Sequence, residues 1–301
     1  MFPIIPANSA TATSGNQEGI FGFGTTGSNV SVTNLVSNAG VVSADVTGVG
    51  TARNELEACE YGGDKGMFAF GYTGNWNLVS NTGVVGTDVT GVGSARQAGG
   101  GCGYGEDKGI FAYGYGTDSY INYSNLVSNV GVMGSDVTGV GTIHGYMGTC
   151  SYGGDKGIFA YGSTTGGSQV LISNLVSNVG VVATDTVITG TARLQTAACG
   201  YSTDKGICGF GQGPSGNIGI TNLISNTGVV ASDVSAVGTA RGSIQACEYG
   251  GDKGIFAYGR LGAPSHAAVS TSNLVTNVGV VGNDVTGVGT ARYWLGACSF
   301  N

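Results

Sequence analysis

Asp155-Lys156-Gly157-Ile158-Phe159-Ala160-Tyr161-Gly162, followed by Ser173-Asn174-Leu175-Val176-Ser177-Asn178 and then Gly180-Val181-Val182, is the stretch from which the fold is read. Much the same wording returns from Gly19, Gly66, Gly109, Gly157, Gly206 and Gly254, and a Gly-Thr-Ala-Arg signature, as at Gly50 to Arg53, closes the unit. One such unit is a single supersecondary module. It cannot bury its own apolar face and has to stack on its neighbours.

Within a unit, Gly, Asn and Asp punctuate short apolar runs, and no 3.6-residue apolar stripe is long enough for a helix. The spacing predicts four strands, at Gly148 to Tyr152, Gly157 to Tyr161, Val170 to Val176 and Val179 to Thr184. A Gly-Gly-Asp-Lys turn joins the first two and a Ser-Asn-Val-Gly turn the last two, both rich in residues that supply positive φ. Four short antiparallel strands recurring with a period in the forties are the mark of a propeller blade. The expected fold is therefore all-β, a six-bladed β-propeller of four-stranded antiparallel blades. A flat or spiral β-solenoid is the alternative, although solenoids run to shorter periods and parallel strands.

Strand counting predicts how the ends meet. Candidates for the Ala-Cys-x-Tyr strand are Ala10 to Ser14, five interior copies, and Ala297-Cys298-Ser299-Phe300, against six sets of the other three strands. The C-terminal copy keeps Cys and an aromatic residue, so Trp294 to Phe300 is expected to complete the unit that begins at Gly19 and leave no open ladder. Residues 1–17 would then form an N-terminal arm, held extended by Pro3 and Pro6, with Phe2, Ile4 and Ile5 available to pack on the body or on a partner. Residues 18–301 would be one domain.

Composition narrows the function. Of 301 residues 59 are Gly and only 10% are charged, yet 41% are hydrophobic, enough apolar content to exclude a solvating disordered tail. A net charge of −7, with eleven Lys and Arg spread thinly, argues against a nucleic-acid partner. No apolar run approaches the roughly 18 residues of a membrane span. Met1 to Pro6 lacks the basic flank and length of a signal peptide, so the mature chain is expected to begin where the sequence does.

Six of the seven cysteines (Cys59, Cys102, Cys150, Cys199, Cys247 and Cys298) occupy one repeat position, with no Cys-x-x-Cys, a pattern unlike a disulfide framework or a zinc site. They read as small buried apolar side chains. Cys208 stands where another unit has Phe159.

The order of an Arg, a small-residue strand, a Gly-rich turn, an apolar strand ending in an aromatic residue plus Gly, and a Leu-Val strand resembles kelch-type propeller repeats from Gly19 to Asn301. It departs from them in having a single Gly, as at Gly162, and Val182 in the region of the fourth-strand Trp. The near-identical Gly/Thr/Val-rich units are also similar to repeat proteins of tailed bacteriophages. That resemblance implies a virion or tail component.

In such a blade the 1–2 and 3–4 loops emerge at one face, and the 2–3 and 4–1 connections at the other. The first pair is nearly invariant from unit to unit, while the second differs in length and content. The variable face is thus the expected ligand surface, with Tyr72, Trp76, Tyr115, Asp118, Tyr120, Tyr146, Arg260, His266 and Tyr293 as candidate binding residues. Its aromatic side chains offer large rigid area to a glycan or a protein. Trp294 belongs there too, or packs between blades.

The repeated Asp-Lys pairs read as capped turns. The second Asp set (Asp45, Asp88, Asp136, Asp185, Asp233, Asp284) offers one carboxylate per unit, too few oxygens for calcium. Arg53, Arg96, Arg193, Arg241 and Arg292 are expected to anchor one blade to the next, with His144 in the place of the third. For catalysis there are only His144 and His266, and one acid pair in a variable segment, Glu55 and Glu57. Expected are no catalytic residue, no metal and no cofactor. The sequence reads as a non-enzymatic structural or adhesive component of an extracellular virion, a phage tail or head decoration. It would contact other virion proteins or a host glycan or protein, as a multimer on the particle. A stand-alone carbohydrate-binding lectin is the first alternative and a glycan-cleaving enzyme the second.

Overall fold

The computed structural model describes residues 16–235 and 237–300, and among these the regular structure is strand, with no helix. Apart from Asn16 and Gln17, the expected N-terminal arm lies outside the described residues.

Many small antiparallel sheets make up the chain, six of them built to one plan. In the sheet centred on Lys156–Ala160, that strand pairs with Gly148–Tyr152 on one side and Ile172–Val176 on the other, so Ile158 lies between Cys150 and Leu175. The same register sets Met67 between Cys59 and Leu78, and Ile110 between Cys102 and Leu126. Gly-Ile-Phe-Ala in the central strand is apolar throughout because both faces are covered. Alternate residues of a strand point to opposite faces: Ile158 packs with Ala198 and Cys208 of the following sheet, and Phe159 with Cys102 and Tyr104 of the preceding one. The core is therefore divided into apolar layers between neighbouring sheets.

The cysteine-bearing strand of the first sheet comes from the far end of the chain. Gly296–Phe300 pairs with Glu18–Gly22, Cys298 opposite Ile20, while Thr33–Val36 flanks the other side. Contacts between cysteine strands run from Glu57–Tyr61 through Gly100–Tyr104, Gly148–Tyr152, Ala197–Tyr201 and Gln245–Tyr249 to Gly296–Phe300, which touches Glu57–Tyr61 again.

The fourth strand differs from expectation. In place of a continuous strand over Val179 to Thr184, the chain makes a bridge of Val182 with Val176 and then a two-residue pairing, Thr186–Val187 with Ile172 and Ser173. Other units show two isolated bridges, such as Val42 with Val36 and Val46 with Thr33. An asparagine side chain takes over the ladder between them. Asn34 Nδ2 donates to the Ser43 carbonyl at 3.0 Å and to Asp45 Oδ1 at 2.9 Å, and Asn77 does the same with Gly86 and Asp88. Side-chain bonds of this kind compete with regular pairing.

The Asp at the end of that network also locks sheet to sheet. Asp88 Oδ2 accepts from Thr51 N at 2.9 Å and Thr51 Oγ1 at 2.6 Å, across from the preceding unit. Burial pushes its carboxyl up, but the bonds from Thr51 and Asn77 and the charge of Arg53 hold it below its ordinary 3.8. Thr290 and Asp45 make the same link between the two ends of the chain. Arg53, Arg96, Arg193 and Arg241 each donate to the next unit's asparagine, Asn77, Asn125, Asn222 and Asn273, at 2.6–2.8 Å. Each guanidinium also lies over an aromatic ring of its own unit, as Arg96 over Phe70 at 3.8 Å.

Candidate functional site

The connections that vary most come together at one end of the sheets. Each central strand ends in an aromatic residue with positive φ (Phe23, Phe70, Tyr113, Tyr161, Phe210, Tyr258) followed by Gly. The Gly N–H then donates to the carbonyl of the Arg or His that closes the same unit: Gly71 to Arg96, Gly114 to His144, Gly162 to Arg193. The 2–3 loop also bridges the segment that follows the closing residue of the preceding unit, as Tyr115 with Gln97 and Thr25 with Tyr293, so it lies between two units.

Just beyond, Glu55, Ala98, Tyr146, Gln195, Ser243 and Trp294 occupy one position of the repeat, all left-handed with φ between 50 and 58°. Their amides form a cycle. Glu55 N donates to Trp294 O at 2.9 Å, Ala98 to Glu55 at 2.9 Å, Tyr146 to Ala98 at 2.7 Å, Gln195 to Tyr146 at 2.8 Å, Ser243 to Gln195 at 3.1 Å and Trp294 to Ser243 at 3.2 Å. A left-handed non-glycine residue costs roughly 1–2 kcal/mol, and here the cost is offset by a hydrogen bond at every step.

The side chains of this ring enclose a small cavity with Leu56, Met147 and Leu295. Tyr146 Oη donates to both oxygens of Glu55, at 3.2 and 3.1 Å. Burial drives the Glu55 carboxyl up to about 7 against the pull of that bond. Burial and the nearby Glu55 carboxylate raise the Tyr146 hydroxyl, and Tyr72 is raised by the same two causes. Ser243 Oγ bonds to Gln195 Oε1 at 3.1 Å, and Trp294 Nε1 is enclosed without an acceptor among the described residues.

Outside the ring, Tyr72 is 63% exposed. Tyr115 and Tyr120 meet edge to face at 5.3 Å, and Tyr120 Oη lies 3.3 Å from Ser163 Oγ. Tyr293 packs on Trp294 at 4.9 Å, and the Arg260 guanidinium lies over the Tyr293 ring at 5.2 Å. Asp118 and His266 are exposed on loops, and Arg260 Nε donates to the His266 carbonyl at 2.9 Å.

Trp76 is a correction. It lies in the strand Trp76–Val79 opposite Ala69 and is only 6% exposed, packed with Phe70 and Phe111, so it is a core residue and not part of the loop surface. The loop before it is short, and Trp76 takes the strand position that Thr33 and Ser124 hold elsewhere. The acid pair also divides. Glu55 faces the ring, but Glu57 is wholly buried against Arg96, Oε1 3.1 Å from Nε, with burial pushing its carboxyl up to about 7 against the guanidinium charge. The centre of the ring, Glu55 with Tyr146, was not legible as a unit, because the two residues lie 91 positions apart.

At the opposite end the Asp-Lys turns are internally satisfied: Lys108 lies 2.6 Å from Asp107, which also accepts from Asn129 at 2.9 Å. The seven cysteines are buried, and burial raises every one of their thiols. Among the described residues no three His, Cys, Asp or Glu side chains are grouped to hold a metal ion. No protein-family model matches the chain, and no curated protein matches it.

Proposed function

We propose that the six repeated sheets are the blades of a six-bladed, kelch-like propeller, and that the protein is a non-enzymatic recognition module acting through its tyrosine-bearing end. The amide cycle from Glu55 to Trp294 and the pairing of Gly296–Phe300 with Glu18–Gly22 support the closed arrangement. One observation carries the functional reading. Backbone contacts at this end repeat from unit to unit, yet the side chains held on them, Tyr72, Tyr115, Tyr120, Tyr146, Arg260 and Tyr293, do not. A rigid frame with divergent aromatic groups is the arrangement of a binding surface.

Its setting is a phage particle, by the likeness of its Gly/Thr/Val-rich units to tailed-phage repeat proteins. Many copies on one particle would convert weak individual contacts into avid attachment to a host surface or a neighbouring virion protein. Immunogold labelling of intact particles and binding of particles to host cells test this together. Labelled particles whose attachment drops at least tenfold with Tyr72→Ala and Tyr120→Ala are expected. Unlabelled particles overturn the virion role. Full binding of isolated monomer to a glycan array, lost in the same variants, would make it a stand-alone lectin, and glycan hydrolysis suppressed by Glu55→Gln would make it an enzyme.

A further inference from the structure

The amide cycle does not require the side chains it carries. Ala98, Gln195 and Ser243 hold the same left-handed conformation and make the same backbone bonds as Glu55 and Tyr146, so closing the cycle needs neither a carboxylate nor a phenol. Glu55 is nonetheless only 6% exposed and, among the described residues, belongs to no ion pair. Two residues on, the buried Glu57 has Arg96. Burying a carboxylate without a counter-charge is costly. Tyr146 does not supply one, because its single hydroxyl hydrogen is spread between the two oxygens, at 3.2 and 3.1 Å, while a carboxylate has about four acceptor sites. Burial accordingly holds the group at about 7, with no cation drawing it down.

The cavity beside Glu55 is built to accept hydrogens. Ser243 Oγ donates to Gln195 Oε1, which leaves acceptor sites on both oxygens. With Glu55 they give three acceptors around one space, and no described Lys, Arg or His lines it. Trp294 Nε1 is enclosed, so the indole ring and not its N–H borders the opening. The free volume is about 40 Å3, room for about three waters or for the end of one chain, not for a sugar ring.

A primary ammonium matches this space. It has three donors and no acceptor, is drawn to aromatic faces such as those of Tyr146 and Trp294, and is more compact than a guanidinium. An amino sugar carries its nitrogen directly on a ring that the cavity excludes. A lysine carries it on a flexible four-carbon stem, which can pass the exposed Tyr72 at the rim.

We propose that this cavity receives the ammonium end of a lysine side chain from a partner protein, with Glu55 as counter-charge and Gln195 and Ser243 as the other acceptors. The proposal rests on the reading of this end as a recognition surface and names what it recognises.

Calorimetric titration of the full chain at pH 8 with Nα-acetyl-lysine methylamide tests it. Saturable binding in the millimolar range is expected. Acetylating the side-chain amine of the probe, or Glu55→Gln in the protein, should each weaken binding about tenfold or more, the scale of one charged hydrogen bond. Trp294→Leu should weaken it about threefold, so the result does not hang on one variant, and melts of both variants report that the fold is kept. No binding, equal binding of the acetylated probe, or no effect of Glu55→Gln would each overturn the proposal. Tighter binding of glucosamine or of Nα-acetyl-arginine methylamide would overturn the choice of lysine. Particle attachment that falls with Tyr72→Ala and Tyr120→Ala but not with Glu55→Gln would overturn the proposal while leaving the recognition reading in place.

Discussion

The thiol of Cys150 fills the space over Gly206 of the adjacent sheet. A Cβ on Gly206 would lie 2.6 Å from Cys150 Sγ, and the next nearest atom, Ile224 Cδ1, is at 3.3 Å. The relation repeats around the molecule, with Gly19 under Cys247 and Gly109 under Cys59. The invariant glycine of the central strand and the invariant cysteine of the neighbouring one are therefore halves of a single contact between sheets.

Gly206→Ala is expected to cost about 1–3 kcal/mol, the scale of overpacking a close-packed interior. Cys150→Ala alone removes one small side-chain atom and should cost about 1 kcal/mol. The double variant should recover most of the Gly206→Ala loss, because removing Sγ clears the overlap. A double-mutant cycle by chemical denaturation reads this as a coupling energy of about 1 kcal/mol or more. Additive losses would show that the two residues do not share the space.

His144 identifies a weak joint. Its ring packs on Tyr113 at 4.4 Å and Nδ1 meets the Thr142 carbonyl at 2.8 Å, but Nε2 has no partner among the described residues and neither does Asn174 Oδ1. Burial lowers the imidazole below its ordinary 6.5, so it stands neutral in the place where four other units put a guanidinium on the equivalent Asn oxygen. His144→Arg should satisfy Asn174 and stabilise the chain by about 1–2 kcal/mol, a charged hydrogen bond gained less the desolvation of the new side chain. Thermal melts of the two proteins at pH 7 decide it. An unchanged or lower midpoint would mean that the pocket around Tyr113 has settled on imidazole.

Strands were readable from the sequence because Gly, Asn and Asp mark their ends and because a central strand covered on both faces shows as an unbroken Gly-Ile-Phe-Ala. The outer strand was misjudged for a definite reason: Asn174 and its counterparts are strand residues whose side chains, not their backbones, carry the bonds to the next segment. Trp76 looked like a loop aromatic because the short loop Tyr72 to Asn75 shifts the boundary, and only pairing with Ala69 shows it to be a strand residue. The variable segments could be singled out, since units of one chain can be compared with each other. That Glu55 meets Tyr146 could not, because it depends on residues two units apart turning inward on the same left-handed backbone.

Glu55 makes the stability of the molecule depend on pH in a direction opposite to ordinary acid sensitivity. Its carboxyl ionises at about 7 in the folded chain against an ordinary 4.5, so the native state holds the proton more tightly than the unfolded chain does. The groups facing it are the Tyr146 and Tyr72 hydroxyls, which do not titrate in this range and are raised further by burial and by Glu55 itself. Stabilisation from this group is complete below 4.5, declines as pH rises, and is gone above 7. Glu57, raised to about 7, and Glu248, raised by burial and by the nearby Glu60, act in the same sense. Asp45, Asp88 and their counterparts act in the other, being held below 3.8 and losing their contribution as the pH falls under that value. The melting temperature should therefore climb from pH 8 to a maximum between 4 and 5 and fall below it. Glu55→Gln keeps the shape without the charge, so it should melt higher than wild type at pH 8, by roughly 1–3 kcal/mol in stability, and match it at pH 4.5. A constant difference between the two proteins across that range would show that Glu55 stays ionised, bound by Tyr146 strongly enough to cancel its burial.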